Sequence, residues 1–422
     1  MQNLAENNTE IKMSRHTHFL IFLVLPIAFL TLAFLFDTPS NIFSGLNEIV
    51  LAPDILLTDY LAVGGFGATL LNVSLIVLIN IFIIYKLNIK INGAIIAVIF
   101  TLTGFAFFGK TIFNIWPMYI GGILYTKYKK ISFERVVVVI MFSTCLAPVV
   151  SQLSFSVGLP LYHGIIAGVL FGILGGFIIT PLASNMSRLH SGYNLYNVGF
   201  TAGLMGTLIV SLLKSFGIDI KQQLILSSEY SELFRNLLLT YFVLLIILGY
   251  LINNKSFKGY KKIFKYSGKL ITDYTQLIGY GLTLVNMGIM GLLCMSFVYI
   301  TSGDFNGPII GGILTVVGFS AFGNNPGNSI PIMAGVFLGG ILNIWDIQTT
   351  PIIIAGIFGT TLAPVAGKYG TYAGVLAGFL HLSMVMNIGI VHGGTNLYNN
   401  GFSGGLIASI LVPVFEAFKK EE

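Results

Sequence analysis

The sequence predicts an all-α integral membrane protein made of two inverted-topology repeats, each with five spans and one re-entrant hairpin. Three observations predict this fold. Of the 422 residues, 55% are hydrophobic and only 9% are charged, whereas charged residues make up about a quarter of an ordinary soluble domain. Apolar runs long enough to cross a bilayer, which takes about 20 residues, follow one another along the chain. The same motifs also occur twice in the same order.

Charge and cysteine content narrow the possible partners. The net charge of +6 lies almost wholly in the loops between apolar runs, which indicates membrane topology rather than nucleic-acid binding. Cys145 and Cys294 both lie in apolar stretches, so neither a disulfide framework nor a metal-binding spacing is indicated. We therefore expect the lipid bilayer as a partner, and no nucleic acid, metal or cofactor.

The first apolar run is interpreted as an uncleaved span. Lys12 and Arg15 precede the run Phe19–Phe36, and no small-residue cleavage site of a secretory signal follows it. Basic residues before the first span place the N-terminus in the cytoplasm. The expected organisation is a cytoplasmic N-terminal tail (1–17), a first membrane repeat (18–217), a connecting loop (218–236), a second, inverted repeat (237–418) and a cytoplasmic C-terminal tail (419–422).

Four blocks of sequence recur in the same order, and a fifth closes each unit. The pairs are "DYLAVGGFGATLLN" (59–72) with "DYTQLIGYGLTLVN" (273–286), "NGAIIAVIFTLTGFAFFG" (92–109) with "NGPIIGGILTVVGFSAFG" (306–323), "FSTCLAPV" (142–149) with "FGTTLAPV" (358–365), and "HGIIAGVLFG" (163–172) with "YGTYAGVLAG" (369–378). The closing motif is "HSGYNLYNVGFTAGL" (190–204), repeated as "HGGTNLYNNGFSGGL" (392–406). Ordered blocks at a near-constant offset indicate duplication rather than a shared composition.

Equivalent loops of the two halves carry opposite charges. The segment 37–54 holds three acidic residues, whereas its counterpart 255–269 holds six lysines. The segment 127–135 holds four basic residues before the first "LAPV" stretch, where the second half has Asp346. Because short basic loops stay cytoplasmic, the two halves are predicted to cross the membrane in opposite directions, each an odd number of times.

Each half contains five apolar stretches that fit full crossings. Between the second and the third lie two shorter ones, which in the first half are Ala94–Phe108 and Ile112–Thr126. These pieces are short for a crossing and fit a re-entrant hairpin, which gives ten spans in all. Seven crossings per half, or fourteen in all, remain the alternative, since that number per half is also odd.

The closing motif predicts the solute path. Glycines and asparagines within apolar stretches face protein or water, because an unpaired backbone group in lipid costs several kcal/mol. In inverted-repeat transporters the substrate site lies near the midplane between the repeats. The predicted lining residues are Asn194, Tyr196, Asn197, Asn396, Tyr398 and Asn399, with structural capping as the alternative role of the asparagines.

Two histidines and two aspartates are also matched between the halves. We place His190 and His392 on the path, where a histidine can pass or sense protons near neutral pH; a histidine at a helix start is the alternative. Asp59 and Asp273 each precede a helix-like run and are predicted to be N-caps.

The hairpin turns are chemically unequal. The second half has "FGNNPGNSIP" (322–331), where Asn-Pro is expected to cap a half-helix and direct its dipole at a solute; the first half has "FGKTIFNIWP" (108–117). Lys110 stands opposite Asn324 and is expected either to attract anions or to extend to the surface. The turns add four residues to the predicted path: Asn114, Asn324, Asn325 and Asn328.

The absence of certain residue types from the apolar stretches constrains the transport mechanism. All acidic residues fall in predicted loops or at span ends, which argues against proton pumping. Sodium can be held by carbonyl and hydroxyl oxygens, so sodium coupling stays open, with Thr144, Thr360 and Thr361 as candidate ligands. No zinc-protease helix, phosphate-binding loop or nucleophile elbow is present in the sequence, so no catalytic residue is predicted.

The doubled "NLYNxGF[ST]xGL" and "GFxxFG" signatures resemble an uncharacterised bacterial family of multi-pass membrane proteins, defined by a domain of unknown function that covers nearly the whole chain. The resemblance implies a location in the cell (inner) membrane and no particular activity. The layout is also similar to that of urea transporters, and "NNPGNSIPIMAG" (324–335) and "LYNNGF" (397–402) resemble their Asn-Pro and Leu-Tyr-Gly-Phe-Asn stretches. The first half lacks the Asn-Pro pair, and similar architecture does not fix a substrate.

The predicted function is transport of a small polar solute between the two repeats, by a channel-like facilitator or a sodium-coupled carrier. The lack of carboxylates within the spans favours the facilitator. One alternative is a membrane-embedded enzyme acting on a lipid-linked substrate. Its candidate nucleophile and general bases are Ser191, His190 and His392. The other is a scaffold or sensor subunit. Homo-oligomerisation stays open.

Overall fold

The computed structural model describes residues 14–220, 223–342 and 344–418, which form helices and no β-strands. The helices of the first half are α1 (Arg15–Phe36), α2 (Pro39–Leu51), α3 (Tyr60–Val63), α4 (Gly65–Lys86), α5 (Gly93–Phe105), α6 (Trp116–Lys129), α7 (Val137–Ser143), α8 (Ala147–Phe155), α9 (Leu161–Met186) and α10 (Asn197–Ser215). Those of the second half are α11 (Ser231–Ile252), α12 (Tyr274–Leu277), α13 (Tyr280–Ile300), α14 (Gly307–Phe319), α15 (Pro326–Leu342), α16 (Thr350–Phe358), α17 (Ala363–Tyr369), α18 (Thr371–Ile388) and α19 (Asn399–Ala417). The all-α prediction is confirmed.

Ten segments of the described residues are long and apolar enough to cross a bilayer, five in each half. They are α1, α4, α7–α8, α9 and α10 in the first half, and α11, α13, α16–α17, α18 and α19 in the second. The helices α5, α14 and α15 are shorter apolar helices between the second and third spans of their halves. The ten candidate spans agree with the predicted number of crossings, and the re-entrant course of the shorter helices stays a prediction. Residues 1–13 of the predicted N-terminal tail and the whole predicted C-terminal tail (419–422) lie outside the described residues.

The spans differ in how much of their surface the protein covers. Only 28% of the most apolar window of α1 or α11 is buried, whereas 72% and 78% of those of α4 and α13 are buried. Exposed leucine, isoleucine and phenylalanine side chains cover the outer helices, as in Leu20 and Phe34 of α1. A wide apolar surface of this kind is covered by lipid in a multi-pass membrane protein.

The third span of each half is broken at its "LAPV" sequence. A 3-10 turn, Thr144–Leu146 or Gly359–Leu362, separates α7 from α8 and α16 from α17. Pro148 and Pro364 follow within the first turn of the next helix, where proline is tolerated because the N–H it lacks has no helical partner. The break leaves carbonyl groups free to accept hydrogen bonds from other segments.

The hairpin helices α5 and α14 cross in the centre of the protein with their backbones in close contact. Gly104 and Gly311 face each other there, and a Cβ added to Gly311 would lie 2.5 Å from the carbonyl oxygen of Gly104. Asn92 and Asn306 cap the two helices, accepting hydrogen bonds from Ile95 N and Ile309 N. The hairpins therefore meet through matched small residues.

Reciprocal contacts relate the two halves. Asp59 caps α3 through Leu61 N, as predicted, and also accepts a hydrogen bond from Gly307 N at 3.1 Å. Asp273 caps α12 and accepts from Gly93 N at 3.1 Å. Each cap thus fixes the start of the other half's hairpin, as a two-fold relation requires. The opposite orientation of the halves in the membrane stays a prediction, as do the repeat bounds.

Candidate functional site

The two copies of the closing motif meet at the interface between the halves. In each copy the first part is a turn and the second part begins a span, α10 at Asn197 and α19 at Asn399. The turns dock on the broken spans. Leu195 N donates to Thr361 O and Leu397 N donates to Cys145 O, both at 3.0 Å. The breaks in the "LAPV" spans therefore supply the acceptors that hold the motifs in place.

Asn194 and Asn396 fasten one repeat to the other. The amide of Asn194 donates to Gly401 O at 3.0 Å, and that of Asn396 donates to Gly199 O at 3.1 Å. These carbonyls lie in the first turns of α19 and α10. Both asparagines are fully buried, and the structure places them in reciprocal hydrogen bonds between the repeats.

The two histidines bind the asparagines that begin the spans. His190 Nε2 lies 2.9 Å from Asn197 Oδ1, and His392 Nε2 lies 2.8 Å from Asn399 Oδ1. The amides of these asparagines donate in turn to Ala183 O and Val385 O. Burial lowers the pKa of both histidines, which keeps the rings neutral at pH 7 and suits this structural arrangement.

A cavity of about 260 Å³ lies between the two motif copies. Much of its wall comes from matched pairs: Leu195 and Leu397, Tyr196 and Tyr398, Thr101 and Thr315, Phe105 and Phe319, Phe142 and Phe358. Asn197 and Asn400 add amide groups. The wall is mostly aromatic and aliphatic, and Tyr196, Asn197 and Tyr398 are the predicted path residues that it includes.

The cavity is closer to one surface than to the other. Leu270 and Ile271, in the loop before α12, line it, and Ile271 is 83% exposed. Leu270 N donates to Gly192 O in the first motif copy, and Leu56 N donates to Gly394 O in the second, both at 3.0 Å. The two loops are thus tied to the motifs in the same way, but the loop around Leu56 does not line the cavity.

The second hairpin turn holds three of the predicted path residues. Asn325 caps the start of α15 by accepting from Asn328 N, and Asn328 Oδ1 accepts from Asn325 N in return. Asn328 also donates to Gly323 O, and Asn324 donates to Thr360 Oγ1 at 3.3 Å. These hydrogen bonds cap the start of α15. None of the three asparagines lines the cavity.

The first hairpin turn contains a buried lysine. Lys110 is fully buried, its ammonium donates to Tyr398 Oη at 2.7 Å, and it lies over the ring of Phe105. The expectation that Lys110 extends to the surface is therefore wrong, because the turn in which it lies is inside the protein. Asn114, in the same turn, donates to Asp54 Oδ2 at 3.0 Å.

The candidate sodium ligands use their hydroxyl groups within the fold. Thr144 donates to Met141 O and Thr360 donates to Ile357 O, which are carbonyls of their own spans. Thr361 donates to Asn194 Oδ1 and accepts from Tyr196 N. The three threonines are fully buried and lie beside the motifs, one in the first break and two in the second.

Comparison with known families assigns the chain to one of them. A family described as "Protein of unknown function (DUF1576)" matches residues 38–215 and 252–417. The chain belongs to the DUF1576 family. One matched segment lies in each half of the chain. The family therefore matches the chain twice, in agreement with the duplication predicted from the sequence. No curated protein and no solved structure matches the chain.

In this DUF1576 protein the structure adds residues that the sequence did not single out. The aromatic wall of the cavity includes Phe105 and Phe319, which belong to the matched "GFxxFG" sequence, so a repeat signal was present. Asn400 had no such signal, because the first half has Val198 at that position. Asp54, which contacts the first hairpin turn, also has no matched acidic residue, since Gly268 stands at the equivalent position.

Proposed function

We propose that this protein transports a small solute across the membrane through the cavity between its two repeats. The observation that carries the proposal is the composition of the wall, in which matched positions of both repeats face one space. A site on the two-fold relation between repeats is where inverted-repeat transporters bind their substrates. The volume of about 260 Å³ lies below the usual range of pockets for drug-sized ligands, which favours a small solute.

The wall also restricts the chemistry of the solute. Aromatic rings and leucines favour a solute with an apolar face, while Asn197 and Asn400, whose side-chain oxygens also contact His190 and His381, add polar atoms to the wall. The hydroxyls of Thr101 and Thr315 donate to carbonyls of their own helices, which leaves oxygen lone pairs as acceptors. The proposed solute is therefore small and polar at one end and apolar at the other.

The position of the cavity favours a carrier over an open channel. Ile271 both lines the cavity and is exposed, whereas the equivalent loop around Leu56 does not reach it. A site that is reached from one side fits alternating access, in which one repeat moves against the other.

The test is solute uptake by the purified full-length chain in proteoliposomes. The panel covers urea, short amides, amino acids, ammonium and small carboxylates, with and without imposed sodium and proton gradients. The proposal expects saturable uptake of one solute class above protein-free liposomes. Uptake no higher than in protein-free liposomes across the whole panel contradicts it.

A further inference from the structure

One of the two amides in the cavity wall has donors that the protein does not use. Asn400, the second residue of α19, lines the cavity and is only 6% exposed. Its Oδ1 atom accepts a hydrogen bond from His381 Nε2 at 3.0 Å, whereas its amide nitrogen donates to no group among the described residues. The other amide, that of Asn197, already donates to Ala183 O. Because buried polar groups are nearly always paired, the N–H groups of Asn400 indicate a ligand in the cavity that accepts hydrogen bonds.

A buried histidine fixes the orientation of this amide. His381 of α18 is fully buried, and its ring nitrogens contact Asn400 Oδ1 and Ser403 Oγ, the latter at 3.1 Å. Since an amide oxygen can only accept, Nε2 carries the proton of the neutral ring and Nδ1 accepts from the Ser403 hydroxyl. This chain of hydrogen bonds turns the oxygen of Asn400 to the histidine and leaves its nitrogen for the cavity.

The second half alone has this arrangement. Val198 stands at the position equivalent to Asn400, and Gly175 at the position equivalent to His381. The amide and the histidine that orients it therefore both lack a counterpart in the first half. Asn400 also lies in the first turn of α19, where the helix dipole favours a negative charge.

The buried ammonium group of Lys110 lies behind the same wall. It donates to Tyr398 Oη at 2.7 Å and lies 5.3 Å from the centre of the Phe105 ring, and both aromatic residues line the cavity. No ion pair of the described residues includes Lys110. Asp54, beside the same turn, is hydrogen-bonded to neutral side chains. Since a buried charge is costly unless it is paired, an anion in the adjoining cavity would supply the missing charge.

We propose that the cavity binds the carboxylate of a small aliphatic acid, with Asn400 and Tyr398 as hydrogen-bond donors and Lys110 as the counter-charge. The Tyr398 hydroxyl accepts from the ammonium group and so keeps its own proton for the ligand. The aliphatic part packs against the leucines and phenylalanines of the wall. His381 is a positioning residue, because it acts on the ligand through Asn400. The transport of this anion rests on the proposed function, whereas its binding does not.

The experiment measures binding of radioactive propionate to the purified full-length chain, with unlabelled propionamide as a neutral competitor of nearly the same size. The inference expects saturable propionate binding that propionamide displaces at least tenfold less well than propionate does. Asn400→Val introduces the residue of the first half and should weaken propionate binding at least tenfold. Lys110→Asn introduces the residue of the second hairpin turn and should remove the preference for the anion. Lys90→Asn removes an exposed lysine before α5 and, as the matched control, should bind like wild type.

His381→Leu tests the positioning role. Without the ring, the amide of Asn400 is free to turn its oxygen to the cavity, where it repels a carboxylate and accepts from an amide. The preference for propionate over propionamide should therefore fall, and His381→Gln, which can still donate to the Asn400 oxygen, should restore it. A merely structural role would lower the unfolding temperature and leave the ratio of the two affinities unchanged.

Three results overturn the inference. They are the lack of saturable propionate binding in wild type, equal displacement by propionamide, and unchanged propionate binding in Asn400→Val. If Asn400→Val does not fold, an unchanged preference in Lys110→Asn overturns it instead. Propionate binding without uptake of any solute would keep the site and contradict the proposed function. Uptake of a neutral or cationic solute without propionate binding would do the reverse.

Discussion

The ammonium group of Lys110 donates a 2.7 Å hydrogen bond to the hydroxyl of Tyr398, which lies in the other repeat. The matched residues are Asn324 and Tyr196, and the buried hydroxyl of Tyr196 lies against the neutral hydroxyl of Thr360 instead of an ammonium group. The two-fold relation between the halves therefore holds for the backbone but not for the chemistry around the cavity. A protein with this asymmetry has two unequal ends to its binding space.

The tyrosine hydroxyls are predicted to differ in their contribution to stability. Tyr398→Phe leaves the buried amine of Lys110 without its acceptor, which costs about 1–3 kcal/mol. Tyr196→Phe removes a hydroxyl whose neighbour, Thr360, keeps its own hydrogen bond to Ile357 O, and is expected to cost less. Thermal unfolding of the purified protein in detergent compares the two. In Lys110→Met, which removes the amine, Tyr398→Phe should lose most of its effect; an equal effect in both backgrounds contradicts the account.

The crossing of the hairpins is predicted to tolerate no side chain at Gly311. A Cβ there meets the Gly104 carbonyl oxygen at 2.5 Å, so Gly311→Ala must shift backbone and is expected to destabilise the protein by about 1–3 kcal/mol. Gly312→Ala is the matched control, because its nearest neighbour is 3.4 Å away and alanine is the better helix former by about 1 kcal/mol. Equal unfolding temperatures for the two variants contradict the observed crossing.

The opposite orientation of the two halves is predicted by charge and can be measured directly. Glu134 and Gln348 lie in equivalent loops before the broken spans and are both exposed. Single Glu134→Cys and Gln348→Cys variants should react with membrane-impermeant thiol reagents from opposite sides, the first from the cytoplasm. The native Cys145 and Cys294 are buried and serve as the unlabelled background. Labelling of both positions from one side contradicts the inverted topology.

The spans and hairpins were predictable because their signals are local. Apolar length distinguishes α4 from the shorter α5 without tertiary information. Asp59 and Asp273 were predictable as caps, since an N-cap acts within one turn of its own helix. Their additional contacts to Gly307 and Gly93 were not, because these depend on how the hairpins fold back into the protein.

The chemistry of the site was less predictable, since it depends on contacts between the repeats. Asn194 and Asn396 were expected to face a solute, and the structure places each against a backbone carbonyl of the other repeat. Lys110 has the sequence context of a residue near a helix end, and only the fold shows that its turn is buried. Asp54 resembles its exposed acidic neighbours in sequence, and it is the docking of its segment on α8 and Asn114 that buries it.

The central claim is that solute passes through the cavity between the repeats, and two adjacent valines of α7 test it most directly. Val139 lines the cavity, whereas Val138 is half-buried in the same helix and does not line it. Val139→Trp fills the space, and Val138→Trp adds the same bulk elsewhere. In proteoliposomes holding equal amounts of folded protein, the account predicts at least tenfold slower uptake for Val139→Trp and near wild-type uptake for Val138→Trp. Equal uptake by both variants would contradict a path through this cavity.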